Sequence, residues 1–181
     1  MDLTFSKSIT LDNGQAVTLR YPTQDDVSRL MAFINPIIIE RARILLDEIV
    51  KIDVEREYLF DFLEKMKKNN AVKIFAVVDE NIVGAADIQR QPHKQKHVGT
   101  FGLSVSKPFR NLGLGKSLMQ EALLQAKEVL GLRMVTLTVY AKNDVARDLY
   151  KKLGFLEYGH LLGAVLQDDV YEDEILMYKP L

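Results

Sequence analysis

Three observations predict an α/β or α+β domain built on a mixed sheet. Apolar residues switch along the chain between a period of two and a period near that of a helix, so strands and helices interleave. The 181 residues fit one domain over 1–181, and 48% apolar content is enough for one core. A glycine-rich turn at 110–117 joins an apolar strand to a long amphipathic helix.

Residues 9–21 alternate around Asp12, Asn13 and Gly14, a turn sequence tolerant of positive φ, and read as a hairpin. Thr23 with Asp26 three residues on is a capping-box pattern, opening a helix with Val27, Leu30, Met31 and Ile34 on its apolar face. Pro36 is expected to break or re-aim it, with helical periodicity continuing over 37–50. Asp53 is expected to cap a third helix reaching about Lys68 on Val54, Tyr58, Leu59, Phe62, Leu63 and Met66. Strands at 72–78 and 82–89 join at Asp79, Glu80 and Asn81 as a second hairpin.

Residues 91–96 form a polar connection before the strand at 98–105 that feeds the glycine turn. The helix at 112–130 is closed by Gly131 as its cap. A strand at 133–140 and a shorter helix at 143–153, stopped at Gly154, lead to strands at 155–162 and 171–178. No repeat or low-complexity tract is present.

Composition narrows the function. Formal net charge is −1 with both signs intermixed, which lacks the electrostatic footprint of a nucleic-acid binder. With no cysteine, disulfides, thiolate metal sites and an acyl-cysteine intermediate are excluded. Residues 1–9 include Asp2 and Lys7 and lack an apolar run of leader length, and no segment has the length of a membrane span. A cytoplasmic protein with no membrane partner is the expectation.

The turn of Arg110, Asn111, Leu112, Gly113, Leu114, Gly115, Lys116 and Ser117 is built to hold an anion. The first N–H groups of a helix lack intrahelical partners, and the peptide dipoles leave partial positive charge there. Gly113 and Gly115 let a diphosphate approach the backbone, while Arg110 and Lys116 supply mobile positive charge. A triphosphate-binding loop of the Walker type would need glycine at Arg110, and a dinucleotide fingerprint would need glycine at Leu118.

What fits is Val105, Pro108, Arg110, Gly113 and Gly115, which resembles the coenzyme A pyrophosphate loop of the GNAT N-acetyltransferase superfamily, Arg/Gln-x-x-Gly-x-Gly/Ala after a strand. Residues 143–155, with Asn143, Ala146, Leu149, Tyr150, Leu153, Gly154 and Phe155, resemble that superfamily's C-terminal helix and the strand after it. Tyr171, Asp173 and Met177 are similar to its closing Tyr-x-Asp-x-x-x-Met strand. The three motifs cover residues 97–181.

The resemblance implies a strongly twisted, mostly antiparallel mixed sheet flanked by helices, and transfer of acetyl from acetyl-CoA to a primary amine by direct attack, without a metal. It puts helices over about 23–69 on the acceptor side and the coenzyme-binding half over about 97–155. By the same resemblance, Leu103, Ser104 and Val105 present backbone N–H groups to the acetyl carbonyl, and the site continues through residues 110–117 to Asn143, Ala146 and Tyr150. Tyr150 would protonate the leaving thiolate, since an ordinary tyrosine keeps its proton to about pH 10.

Asn143, Ala146, Arg147 and Tyr150 share one helical stripe, while Val145, Leu149 and Leu153 form another suited to packing, so Tyr150 need not be a core residue. Lys107, Arg147 and Lys151 either help hold coenzyme phosphates or form a solvated basic surface. For the base that takes the amine proton, the candidates are Asp87, an acid inside an apolar strand, and Glu40, which follows an apolar run; a salt bridge or solvated edge is the alternative for each.

His93 and His97 have helical spacing but basic neighbours, which favours a solvated loop over a metal site. Asp168, Asp169, Glu172, Asp173 and Glu174 form an acidic cluster that could attract a polyamine or lysine-like acceptor or simply be a charged hairpin. The acceptor stays open among small amines, amino acids, polyamines and protein amino termini or lysines. A non-catalytic acyl-CoA sensor and a nucleotide-binding module are the competing classes. A C-terminal edge strand could pair between subunits as a homodimer.

Overall fold

In the computed structural model, which describes residues 4–181, the hairpin predicted around Gly14 is β1 (Ser6–Thr10) and β2 (Ala16–Arg20), with Gly14 at φ +85°. The leader reading rests on residues 1–9, of which the first three lie outside the described residues. Asp26 accepts hydrogen bonds from Thr23 N–H at 2.8 Å and the Thr23 hydroxyl at 3.2 Å, opening a short 3-10 turn and then α1 (Val27–Ile39).

Pro36 does not break this helix. It sits in the last turn, where its missing N–H forfeits a single bond, and α1 runs on to Ile39. The end is set by Arg41 at φ +52°: its N–H bonds Ile38 O at 2.9 Å and Ala42 N–H bonds Ile37 O at 3.2 Å, a Schellman pair. The helix expected over 37–50 is therefore absent beyond Ile39, and residues 41–51 are irregular. Asn35 ties this segment down, donating to Val50 O at 3.0 Å and accepting Val50 N–H at 2.9 Å. Because only glycine holds the left-handed region without a Cβ penalty, Arg41→Gly is expected to raise stability by about 1 kcal/mol, read as a higher denaturant midpoint at constant slope.

α2 (Ile52–Lys67) is capped by Lys51, so Asp53 lies inside its first turn instead of capping it. β3 (Ala71–Val78) and β4 (Asn81–Arg90) form the second hairpin, followed by β5 (Val98–Val105), α3 (Leu114–Glu128) and β6 (Met134–Tyr140). α4 (Asp144–Lys152) ends at Gly154, φ +86°, before a long hairpin of β7 (Leu156–Gln167) and β8 (Val170–Pro180).

The eight strands make one sheet in the order β1-β2-β3-β4-β5-β6-β8-β7. All neighbours are antiparallel except β5 and β6. α3 covers one face, where a Cβ on Gly84 would meet Leu118 Cδ1 at 2.9 Å. α2 covers the other, where Lys73 of β3 reaches Tyr58. α1 packs beside α2 and on β4.

The parallel pair positions the site. β5 and β6 are in register only at Val98 with Met134, Gly99 with Val135 and Thr100 with Thr136. Beyond Thr100 each strand keeps its outer neighbour, β4 or β8, while the two separate from each other. Gly99 sits at the closed end, where a Cβ would fall 2.6 Å from both Ile88 Cγ2 and Leu132 Cδ1. Gly99→Ala is expected to cost about 1–3 kcal/mol by overpacking, measured as a fall in chemical-denaturation free energy.

Candidate active site

The open end of the β5–β6 pair faces the glycine turn. After Val105 the chain makes a 3-10 turn at Lys107–Phe109, with Asn111 at φ +59° and Gly113 at φ +79° as the N-cap of α3. The helix starts two residues later than its periodicity predicted. Ser117 N–H is the first to bond back, to Gly113 O at 3.1 Å. The N–H groups of Leu114, Gly115 and Lys116 thus have no intrahelical acceptor and suit a phosphate. Gly115 marks where three elements converge: a Cβ there would lie 3.6 Å from Leu103 of β5 and from Leu149 of α4.

Two charges near this cradle differ from expectation. Arg110 is anchored, donating from Nε to Val105 O at 2.9 Å and ion-pairing with Glu40 through its guanidinium. Asp12, at the tip of the first hairpin, bonds Leu112 O through its N–H at 3.2 Å, and its carboxylate lies 3.3 Å from where a Gly113 Cβ would be. Lys116 remains exposed.

Asn143 caps α4, its Oδ1 accepting Ala146 N–H at 3.3 Å. Tyr150 projects from the same helix and is 8% exposed, packed edge-on to Phe101 of β5 at 6.3 Å and against Phe155 at 6.0 Å. It belongs to the core cluster, contrary to the stripe argument, while Val145, read as a packing residue, is exposed. Burial alone pushes its phenol up to about 12, and no hydrogen bond contributes. Arg147 donates to Ala141 O at 2.9 Å and shares Glu157 with Lys151, each at 3.0 Å, so both cations are occupied. Lys107 is exposed.

Both candidate bases are engaged in ion pairs. Glu40 caps the end of α1 and pairs with Arg110. Asp87 overlies Gly102 of β5, its carboxylate oxygens 3.6 and 3.7 Å from that residue's Cβ position, two residues into the opening. Its Oδ1 accepts from Lys73 Nζ at 3.0 Å, and Lys73 also donates to the Tyr58 hydroxyl at 2.8 Å. The Lys73 side chain is 4% exposed and its ammonium lies over the Phe62 ring at 4.5 Å. Burial works to lower its pKa, but Asp87 and Tyr58 overcome that and raise it.

The acidic cluster is divided among partners. Asp168 and Asp169 form the β7–β8 turn at φ +52° and +62°, and Asp168 pairs with Arg41. Asp173 is held below the usual carboxylate range by Gly163 N–H and by His160 at 2.9 Å. Glu172 faces Lys142 at 3.5 Å. Tyr140 donates to Ile44 O at 3.2 Å, and burial, with Glu174 and Glu172 nearby, pushes its phenol up.

Among the described residues no group of three or more His, Asp or Glu side chains could hold a metal, and His93 is exposed in a short 3-10 turn. A cleft of about 720 Å³ lined by Lys68, Arg90, His93 and Lys96 lies at the other end of β4 and β5, away from the opening.

One acidic side chain went unrecognised in the sequence. Glu55 of α2 is 5% exposed, and burial pushes its carboxyl up while Lys73 pulls it back. The signal was its phase: positions 55, 59, 62, 63 and 66 share the buried helical stripe, with an acid where an apolar residue is expected. Val54, read as part of that stripe, is exposed.

Comparison with known proteins agrees with this geometry. Residues 39–155 match the model of the acetyltransferase (GNAT) family. An N-alpha-acetyltransferase of Sulfurisphaera tokodaii is 32% identical over 75% of this chain and 87% of its own length. The L-amino acid N-acetyltransferase AaaT of Escherichia coli is 30% identical over 64% of this chain and 73% of its own. The crystal structure of a GNAT-family acetyltransferase from Streptococcus pneumoniae superposes with a TM-score of 0.82 at 26% identity, covering 91% of this chain and 99% of that one. The chain belongs to the GNAT acetyltransferase family. It is an acyltransferase whose donor is acetyl-CoA, and other solved structures with this fold hold acetyl-CoA or coenzyme A.

Proposed function

We propose that the protein acetylates the α-amino group of an amino acid or of a peptide amino terminus by direct attack on acetyl-CoA. The observation that carries this reading is the opening between β5 and β6 beyond Thr100, flanked by the free N–H pole of α3 and by Tyr150. An extended pantetheine arm fits such a gap, where the β5 edge facing β6 is left unpaired, and the diphosphate fits the glycine turn. Of the two relatives compared above, one is named an N-alpha-acetyltransferase and the other an L-amino acid N-acetyltransferase, which supports this acceptor.

The donor supplies an acetyl thioester. Backbone N–H groups of Leu103, Ser104 and Val105 stabilise charge on the carbonyl oxygen. A carboxylate takes one proton from the acceptor ammonium, the freed lone pair forms the C–N bond, and the C–S bond breaks. The Tyr150 hydroxyl donates a hydrogen bond to the departing sulfur and keeps its proton, the second nitrogen proton is shed to solvent, and solvent protonates the thiolate. Direct attack suits a chain without cysteine. In this reading residues 23–69 face the acceptor, residues 97–155 hold the donor, and the enzyme works in the cytoplasm. The outer edge of β7, which carries exposed Leu161, Leu162 and Leu166, supports pairing as a homodimer.

The test is thiol release from acetyl-CoA with amino acid esters, short peptides and polyamines, beside coenzyme binding by calorimetry. Faster turnover of α-amines than of spermidine is expected. Binding without thiol release from any amine would establish the sensor alternative, and a preference for ATP over coenzyme A the nucleotide-binding one. Gly113→Ala places a Cβ at positive φ beside Asp12 and is expected to weaken coenzyme A binding about tenfold, equal to roughly 1.4 kcal/mol.

A further inference from the structure

We infer that Glu55 is the carboxylate that receives the acceptor's ammonium group and takes its proton, an assignment that rests on the acetyltransfer reading above. The carboxylates facing the α2 side of the opening separate by what they contact. Asp87 is hydrogen-bonded to Lys73 and Glu40 to Arg110, while Glu172 has the exposed Lys142 ammonium 3.5 Å from an Oε2 that makes no hydrogen bond. Glu174, half-buried on β8 beside Tyr140, likewise has no side-chain partner among the described residues, but it lies on the β6 side of the opening, away from α2. Glu55 is 5% exposed and makes no side-chain hydrogen bond or ion pair among the described residues.

Its height along the sheet follows from the helix. Lys73 and Asp87 stand opposite Tyr58, and Asp87 overlies Gly102 in the opening. Glu55 is one turn before Tyr58 on α2, about 4.5 Å nearer the helix start. That start follows the segment whose ends are fixed by Glu40 on Arg110 and by Asn35 on Val50, so it lies at the glycine-turn end of the sheet. Glu55 therefore stands on the donor side of the Lys73 cluster, between α2 and the strands.

The chemistry agrees with the placement. The charge that acts on it is Lys73 of β3, which Asp87 and Tyr58 also engage: two carboxylates share one ammonium, which leaves a negative charge for a cationic amine to neutralise. An unpaired carboxylate in a buried position is costly and persists where function requires it. Its raised pKa suits a general base at neutral pH. The proton passes from nitrogen to a Glu55 oxygen, and the freed lone pair makes the bond to the acetyl carbon as the C–S bond breaks.

The test compares wild type, Glu55→Gln and Asp87→Asn in two measurements. In the pH dependence of kcat/KM, Glu55→Gln is expected to fall about a hundredfold and lose the acid limb with unchanged coenzyme affinity, while Asp87→Asn keeps that limb. In thermal melts, L-alanine methyl ester, an α-ammonium without a carboxylate, should raise the wild-type Tm and leave Glu55→Gln unmoved. An acid limb retained by Glu55→Gln, or an equal ligand shift in both proteins, would overturn the assignment. A wild type that releases no thiol with any amine sinks the acetyltransfer reading and the proton-transfer role with it; the melts then decide separately whether Glu55 binds an ammonium. A Glu55→Gln Tm at pH 8 at or above that of wild type shows that the variant folds. That direction is expected: a folded-state pKa above the ordinary 4.5 makes the buried carboxylate a cost above that value, relieved as pH falls through it.

Discussion

Tyr150→Phe is expected to lower turnover about a hundredfold, roughly 2.7 kcal/mol of transition-state stabilisation, with coenzyme affinity little changed. Among the described residues the hydroxyl has no hydrogen-bond partner to lose, and the ring keeps its packing on Phe101 and Phe155, so the fold should be untouched. Burial sharpens the role that the resemblance assigns. With the phenol pushed up to about 12 and an ordinary thiol near 8.5, complete proton transfer to a departing thiolate is uphill by several kcal/mol. Under the proposed reaction, Tyr150 would therefore act on the sulfur as a hydrogen-bond donor, with solvent completing the protonation. Its neutral form persists across pH 6–9, so the alkaline side of a rate profile there should be the same in wild type and in Tyr150→Phe. Full turnover in the variant, measured by thiol release, removes the assignment.

The largest loss of stability is expected from Lys73→Met. Removing the ammonium strips Asp87 and Tyr58 of a buried partner and leaves the largely buried Asp87 carboxylate without its counter-charge. Breaking one side of a buried pair costs about 3 kcal/mol or more, which for a chain of this size lowers Tm by roughly 6–12 °C. Adding Asp87→Asn should recover part of that loss, because the stranded charge disappears with it. The raised lysine pKa fixes the sign with pH. Its stabilisation is fully present below the ordinary value of 10.5 and is lost as pH climbs through the higher folded-state value. The penalty of Lys73→Met should thus be constant from pH 6 to 9. A Tm within 2 °C of wild type would mean that the pair contributes nothing net.

Local chemistry made much of this protein legible. The glycine turn was readable because an anion cradle needs residues without Cβ atoms at a strand-to-helix junction, and two of its backbone positions do lie at positive φ. Asn143 and Gly154 were readable as helix boundaries, since caps act within a few residues of themselves. Pro36 and Arg41 were not. Proline in a helix's last turn costs one hydrogen bond without ending the helix, and nothing in residues 37–50 announces that an arginine will take the left-handed cap.

Side-chain partners were the larger gap. Arg110 looked mobile, and Asp87 and Glu40 could each be read as a base or as half of a salt bridge, because their partners lie many residues away in sequence. Tyr150 fell on a stripe that seemed exposed until Phe101 and Phe155 closed over it. Spacing along the chain, which sets what a backbone can do, named the family and pointed to a candidate phosphate cradle. Only the tertiary structure could tell which acids are neutralised, because burial and ion pairing are set by strands and helices that meet across the sheet.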